Sequence, residues 1–239
     1  MEHLPFIDLH THRRTPSEGV IMVSNFSQKD VFTDSLSQFS FGRSSLATVG
    51  LHPWFLTKEN FDTDFEKLSQ LVHNQQVVGI GECGLDKFRG EDLAFQTTAF
   101  EAQIRLAESV SKPVVIHCVR AFGEIMAIKK RLKPSISLII HGFNKNEIVV
   151  KELLRHGFFI SIGAAILTKK TENTLAKAEN TEGGSFSKML HQIPFDRLFF
   201  ETDDAENVSI VDIYQAAAEL LAIDLNDLKS IVYDNFKKL

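Results

Sequence analysis

The sequence predicts an α/β fold, a (β/α)8 barrel distorted at one edge where the first helix is missing. Three observations carry this expectation. Short apolar, β-rich runs recur along the chain, most of them separated by segments with helical periodicity. The runs are continuously apolar rather than alternating, which is the pattern of parallel strands covered by helices. The 239 residues match the size of one α/β barrel, and no Pro-, Gly- or Ser-rich linker divides them, so 1–239 reads as a single domain.

The strands, in order, are "PFIDLH" (5–10), "GVIMVSN" (19–25), "LATVGLHP" (46–53), "QVVGIGE" (76–82), "PVVIHC" (113–118), "SLIIHGF" (137–143), "FFISIG" (158–163) and "RLFFETD" (197–203). Helical patterns follow them: "FDTDFEKLSQLVHNQ", "EDLAFQTTAFEAQIRLAESV", "FGEIMAIKKRL", "NEIVVKELLRHG", a polar stretch around 168–191, "IVDIYQAAAELLA" and "LNDLKSIVYDNFKKL". Between the first two strands only "THRRTPSE" intervenes. Parallel neighbours need a crossover of about a dozen residues or more, so no helix is expected there.

Composition narrows the function classes. Hydrophobic residues make up 44% and charged residues 24%, an ordinary globular balance. No export signal opens the chain, and no apolar run approaches the roughly 20 residues of a membrane span. Two cysteines, Cys83 and Cys118, are too few for a disulfide framework, so a reduced, cytoplasmic protein is expected, a monomer or small homo-oligomer without a membrane partner. A net charge of −5 argues against a surface that wraps duplex nucleic acid, but it says nothing about one local pocket.

The first strand poses the functional question. In "FIDLHTHRR" the side chains of Asp8, His10 and His12 alternate, and alternate residues of a strand face the same way. A His-x-His pair alone is a weak signal, because nine histidines in 239 residues produce about 0.4 such pairs by chance. The same residue types recur, however, at other strand ends. His10, His12, Glu82, His117, His141 and Asp203 all stand where a strand gives way to a loop, and a barrel carries its active site at the C-terminal strand ends.

Buried imidazoles and carboxylates must be paired or coordinated, and this donor set suits divalent cations such as Zn²⁺, Mg²⁺ or Mn²⁺. Six protein ligands exceed the three of a mononuclear catalytic zinc site, so two metal ions with positions open to water are expected. Asp8 lies deeper than His10 and is expected to hydrogen-bond a ligand and fix its orientation. Cys83 and Cys118 each follow a ligand and turn towards the helix layer, where packing is their expected role. On the rim, Arg13, Arg14 and Arg120 could position phosphates, or be solvated loop charges. Trp54, Phe88 and Phe143 are candidate stacking platforms for a single strand.

These motifs carry a family resemblance. "FIDLHTH", "VGLHPWF", "GIGECGLD", "FQTTAFEAQIRLAE" before "KPVVIHC", "IIHGF", "LLRHGFFISIG" and "IPFDRLFFETD" resemble, in order, the signatures of the TatD family, and "YDNFKKL" is similar to its closing helix. The resemblance implies a TIM barrel and a metal-dependent hydrolase related to the amidohydrolases, commonly described as a deoxyribonuclease. It implies that His10 and His12 bind one metal with Asp203, that His117 and His141 bind a second, and that Glu82 bridges them. Asp203 is the expected general base, and His52 is expected to point towards substrate phosphate.

The departures from the family pattern lie on the substrate side: "CVRA" places the arginine at Arg120, "HGFNK" replaces "HCFSG", and "ETDDAEN" replaces "ETDAPYL". The expected substrate is therefore DNA or a smaller phosphoester. The alternatives are a binuclear-metal hydrolase of C–N or other ester bonds, and a non-catalytic scaffold, against which the retention of all six ligands argues.

Overall fold

The computed structural model describes residues 4–15, 17–31, 41, 46–170 and 185–239. The eight expected strands are present as β1 (Phe6–Thr11), β2 (Val20–Ser27), β3 (Leu46–Gly50), β4 (Val77–Asp86), β5 (Val114–Val119), β6 (Leu138–Ile140), β7 (Phe159–Ile162) and β8 (Leu198–Phe200). They follow one another in sheet order from β1 to β8, and the fold class is the (β/α)8 barrel. The helices are α1 (Gln28–Val31), α2 (Phe61–Leu71), α3 (Leu93–Ser109), α4 (Phe122–Leu132), α5 (Glu147–Arg155), α6 (165–170), α7 (Ser185–Leu190), α8 (Ile210–Leu221) and α9 (Leu225–Phe236). Among the described residues no helix stands between β1 and β2. The expected helical stretch at 168–191 falls partly on 171–184, outside the described residues.

Contacts divide the chain into two compact units, one holding Met1–Thr11, Pro16–Met22 and His141–Lys238, the other His12–Thr15 and Val23–Ile140, with Leu239. In the first unit, β7 and β8 pair in parallel from Ile160–Leu198 to Ile162–Phe200. The end of β1 meets the segment after β8 through the parallel bridge Thr11–Asp203 and the bond from the Asp203 amide to the His10 carbonyl at 2.9 Å. Its core sits under α8, where the buried Tyr214 ring packs on Phe200 and Phe6. The Tyr214 hydroxyl both accepts from the Ile7 amide (3.2 Å) and donates to the Ile7 carbonyl (3.1 Å), satisfying backbone groups of β1 inside the core.

In the second unit the geometry of β4 decides where the site forms. Its register against β5 shifts between Ile80 and Cys83, an irregularity that re-aims the side chain it carries. Two glycines permit it. Gly81 (φ 141°) and Gly84 (φ 143°) take backbone conformations that disfavour a side chain. A Cβ at Gly84 would lie 2.1 Å from the His117 carbonyl oxygen, and one at Gly81 would lie 2.5 Å from that of Val115. β4 thus presses against β5 around Glu82 as only glycine allows. Helix α3 begins cleanly because Asp92 accepts the Phe95 amide at 2.9 Å. From its buried face Gln103 holds both backbone groups of Leu51 just beyond β3.

Candidate metal centre

The second unit gathers its polar side chains on Glu82, which is buried inside β4, four residues before the strand ends at Asp86. Its backbone amide donates to Asn25 Oδ1 (2.6 Å), which also takes the Thr48 hydroxyl (3.1 Å), so residues of β2 and β3 set its position. Glu82 Oε1 lies 2.6 Å from His117 Nδ1 and 3.1 Å from His52 Nε2, and Oε2 lies 3.7 Å from His12 Nε2. Ligand atoms of His52, Glu82 and His117 all fall within 4.8 Å of one another.

His52 is held from two directions. Gln28 of α1 brackets its backbone, accepting its amide at 2.7 Å and donating to its carbonyl at 3.2 Å. The Trp54 amide donates to His52 Nδ1 at 3.1 Å, so the proton of the neutral ring sits on Nε2. That nitrogen donates to Glu82, which makes His52 a hydrogen-bond donor at the carboxylate.

Behind His117 stands Asp86, buried at the end of β4, with Oδ2 at 3.2 Å from His117 Nε2 and 2.6 Å from the Trp54 indole nitrogen. Burial opposes the charge of Asp86. Hydrogen bonds from the Trp54 indole, the Phe88 amide and His117 outweigh it and hold the carboxyl below the usual range. A carboxylate behind an imidazole orients it and leaves the other nitrogen, here Nδ1, for a cation. The neighbouring Cys83 is buried with its sulfur towards the Val115 carbonyl; burial, and then the charge of Glu82, push its thiol up, so it stays protonated and serves packing.

The first unit holds a second group. His10 Nε2 lies 3.5 Å from Asp203 Oδ1, the rings of His10 and His141 are 4.6 Å apart, and ligand atoms of His10, His141 and Asp203 fall within 4.8 Å of one another. Asp203 adopts φ 51°, a left-handed conformation rare outside glycine, just past β8. Glu201 is fully buried: Oε1 accepts the Gly142 amide at 2.5 Å and lies 3.4 Å from His141 Nδ1, whereas Oε2 has no hydrogen-bond partner among the described residues. An orphaned buried carboxylate oxygen beside imidazoles is costly, and a divalent cation would satisfy it. The donor chemistry of both groups fits such an ion.

The other expected residues have partners of their own. Asp8, expected to orient a ligand, spends both oxygens on Thr202, taking its amide at 2.9 Å and its hydroxyl at 2.7 Å, and so clamps β1 to the end of β8. Burial pushes the Asp8 carboxyl up to about 6, against those two bonds. Arg14 is engaged by Asp30 (3.4 Å) and lies over the Phe26 ring (3.9 Å), and the Arg13 carbonyl accepts the Ser24 hydroxyl. Arg120 lies over the ring of Phe88 (5.3 Å). Among the lysines that follow strands, Lys87 pairs with Glu124 and Lys170 with Glu219.

Two residues of these groups, Asp86 and Glu201, are not among the candidates that the sequence singles out. The signal that marks them is the alternation that marks His10 and His12: Glu201 stands two residues before Asp203, and Asp86 four after Glu82.

Comparison with known proteins places the chain. A family model described as TatD related DNase matches residues 8–239. A 3'-5' ssDNA/RNA exonuclease TatD of Edwardsiella piscicida is 29% identical over 214 residues, 81% of this chain and 76% of that protein. Its counterpart in Erwinia tasmaniensis is 32% identical over 159 residues, 66% of this chain and 57% of that protein, so the match spans little more than half of that relative. Among solved structures, a TatD homologue of Escherichia coli K12 superposes with a TM-score of 0.75 at 21% identity, covering 98% of this chain and 97% of the other, a likeness of fold.

Proposed function

Because the chain belongs to the TatD-related DNase family, we propose that it is a divalent-metal-dependent hydrolase that cleaves phosphodiester bonds of DNA with water as the nucleophile. The observation that carries this reading is the surround of Glu82, one buried carboxylate facing His12, His52 and His117, with Asp86 behind His117. Two cations are proposed. Glu82, His117 Nδ1 and His12 would hold one, and His10, His141 and Asp203, with Glu201 behind them, a second. Divalent cations there would polarise a phosphoryl oxygen and acidify the attacking water.

The side chains supply the rest. Asp203, a third exposed, is the carboxylate open to solvent in its group and would accept the proton of the attacking water. His52, whose Nε2–H is taken by Glu82 here, would pass that hydrogen bond to a non-bridging phosphate oxygen when Glu82 is engaged by a cation, and the Trp54 amide on Nδ1 keeps the proton on Nε2. No protein nucleophile is required.

The test is metal content by elemental analysis of purified protein, before and after supplementation, together with turnover of single-stranded DNA, a generic phosphodiester and an amide panel. We expect up to two divalent ions per chain and preference for phosphodiesters. Absence of bound metal after supplementation overturns the reading, and turnover confined to amides transfers the site to C–N hydrolysis.

A further inference from the structure

We propose that Trp54, Phe88, Arg89 and Arg120 form a base-stacking platform that receives the unpaired bases of a single-stranded nucleic acid. The proposal rests on the phosphodiesterase reading for the chemistry it serves, and base binding can be measured apart from it. Of the described large apolar side chains, Phe88 is 68% exposed and Trp54 38% exposed. Their positions are built, not incidental. Asp86 accepts the Trp54 indole N–H with Oδ2 (2.6 Å) and the Phe88 and Arg89 amides with Oδ1 (2.7 and 3.2 Å). Beneath that loop, the buried Gln96 donates to the carbonyls of Asp86, Arg89 and Glu91.

The two guanidinium groups repeat the same arrangement. Arg89 lies 4.5 Å over the Trp54 ring and Arg120 lies 5.3 Å from the Phe88 ring centre, and among the described residues neither is neutralised by a carboxylate. Arg120 takes φ 54°, a conformation that a non-glycine residue adopts at a cost. Exposed aromatic faces interleaved with unneutralised guanidinium planes bind a base by its π-face and a phosphate by charge. A duplex hides its base faces, so an unpaired strand is the occupant that fits. The platform abuts the candidate centre: the Trp54 ring stands edge-on to His117 at 5.4 Å and to His52 at 4.9 Å.

Trp54 is the sole tryptophan of the chain, so its fluorescence reads this platform directly. The protein as purified is titrated with a phosphorothioate-linked octathymidylate, which resists hydrolysis, and with an abasic phosphorothioate oligomer of equal length and charge. We expect saturable quenching by the thymidylate, affinity for the abasic strand about tenfold lower, and a similar loss of thymidylate affinity in Phe88→Ala. The exposure of Phe88 makes that variant tolerable to the fold. Equal affinity for both oligomers, or undiminished thymidylate binding by Phe88→Ala, overturns the platform. Turnover of single-stranded DNA is assayed alongside. Base-dependent quenching without turnover supports the platform and overturns the hydrolase reading; turnover without base-dependent quenching does the reverse.

Discussion

The Oδ2 of Asp86 is shared by His117 Nε2 at 3.2 Å and the Trp54 indole nitrogen at 2.6 Å. One buried carboxylate therefore orients a candidate metal ligand and an exposed ring together. Asp86→Asn keeps the shape and removes the charge. Its affinity for Mn²⁺ or Zn²⁺, measured by competition with a chromophoric chelator, is expected to fall about 10–100-fold. Unchanged affinity would show that Asp86 only folds its loop.

Glu82 faces three imidazoles, so its loss should remove the centre and leave the barrel. Glu82→Ala is expected to lose bound metal and at least about 100-fold in turnover with a parent-like circular dichroism spectrum. Asp203→Asn should retain more metal and lose turnover comparably. Full activity in both variants would refute the assignment.

For Glu201, the orphaned Oε2 makes opposite predictions for metal-free and metal-loaded protein. Glu201→Gln relieves a buried charge, so the melting temperature in a chelator should stay level or rise. The added stability that Mn²⁺ confers on the parent through mass action should shrink or vanish. The two melting curves, with and without metal, check this; an undiminished Mn²⁺ shift counts against Glu201.

Tyr214 answers to pH. Burial pushes its phenol up from the usual value near 10, with the Ile7 hydrogen bond opposing. A folded pKa above the unfolded one means that the native state holds the proton longer. This contribution to stability is complete below about pH 10 and is lost progressively as pH rises above it. In Tyr233→Phe, which leaves Tyr214 as the single phenol, phenolate absorbance should appear only together with loss of ellipticity. Tyr214→Phe should cost about 1–3 kcal/mol, because it strands the Ile7 amide and carbonyl inside the core.

Much of this is legible in the chain. Apolar runs and helical periods are local properties, and all eight expected strands stand within a few residues of their expected limits. The absent helix between β1 and β2 follows from counting residues in "THRRTPSE". Candidate ligands are legible because a polar side chain that ends a buried apolar strand must find a partner or a cation. His10, His12, Glu82, His117, His141 and Asp203 stand out in that way. Asp86 and Glu201 share the alternation, four after Glu82 and two before Asp203, but that spacing gains meaning only once their neighbours are known.

By itself, then, the sequence determined the order of strands and helices, the residue types at the strand ends and the family. The tertiary structure alone decided which groups meet. Asp8 finds Thr202 across 194 residues, Glu82 meets His52 and His117 from 30 and 35 residues away, and the Trp54 amide selects the tautomer of His52. The physical reason is that periodicity specifies which way a side chain faces within its own element. Partner, protonation and exposure depend on register between elements distant in the chain, and no local pattern encodes that.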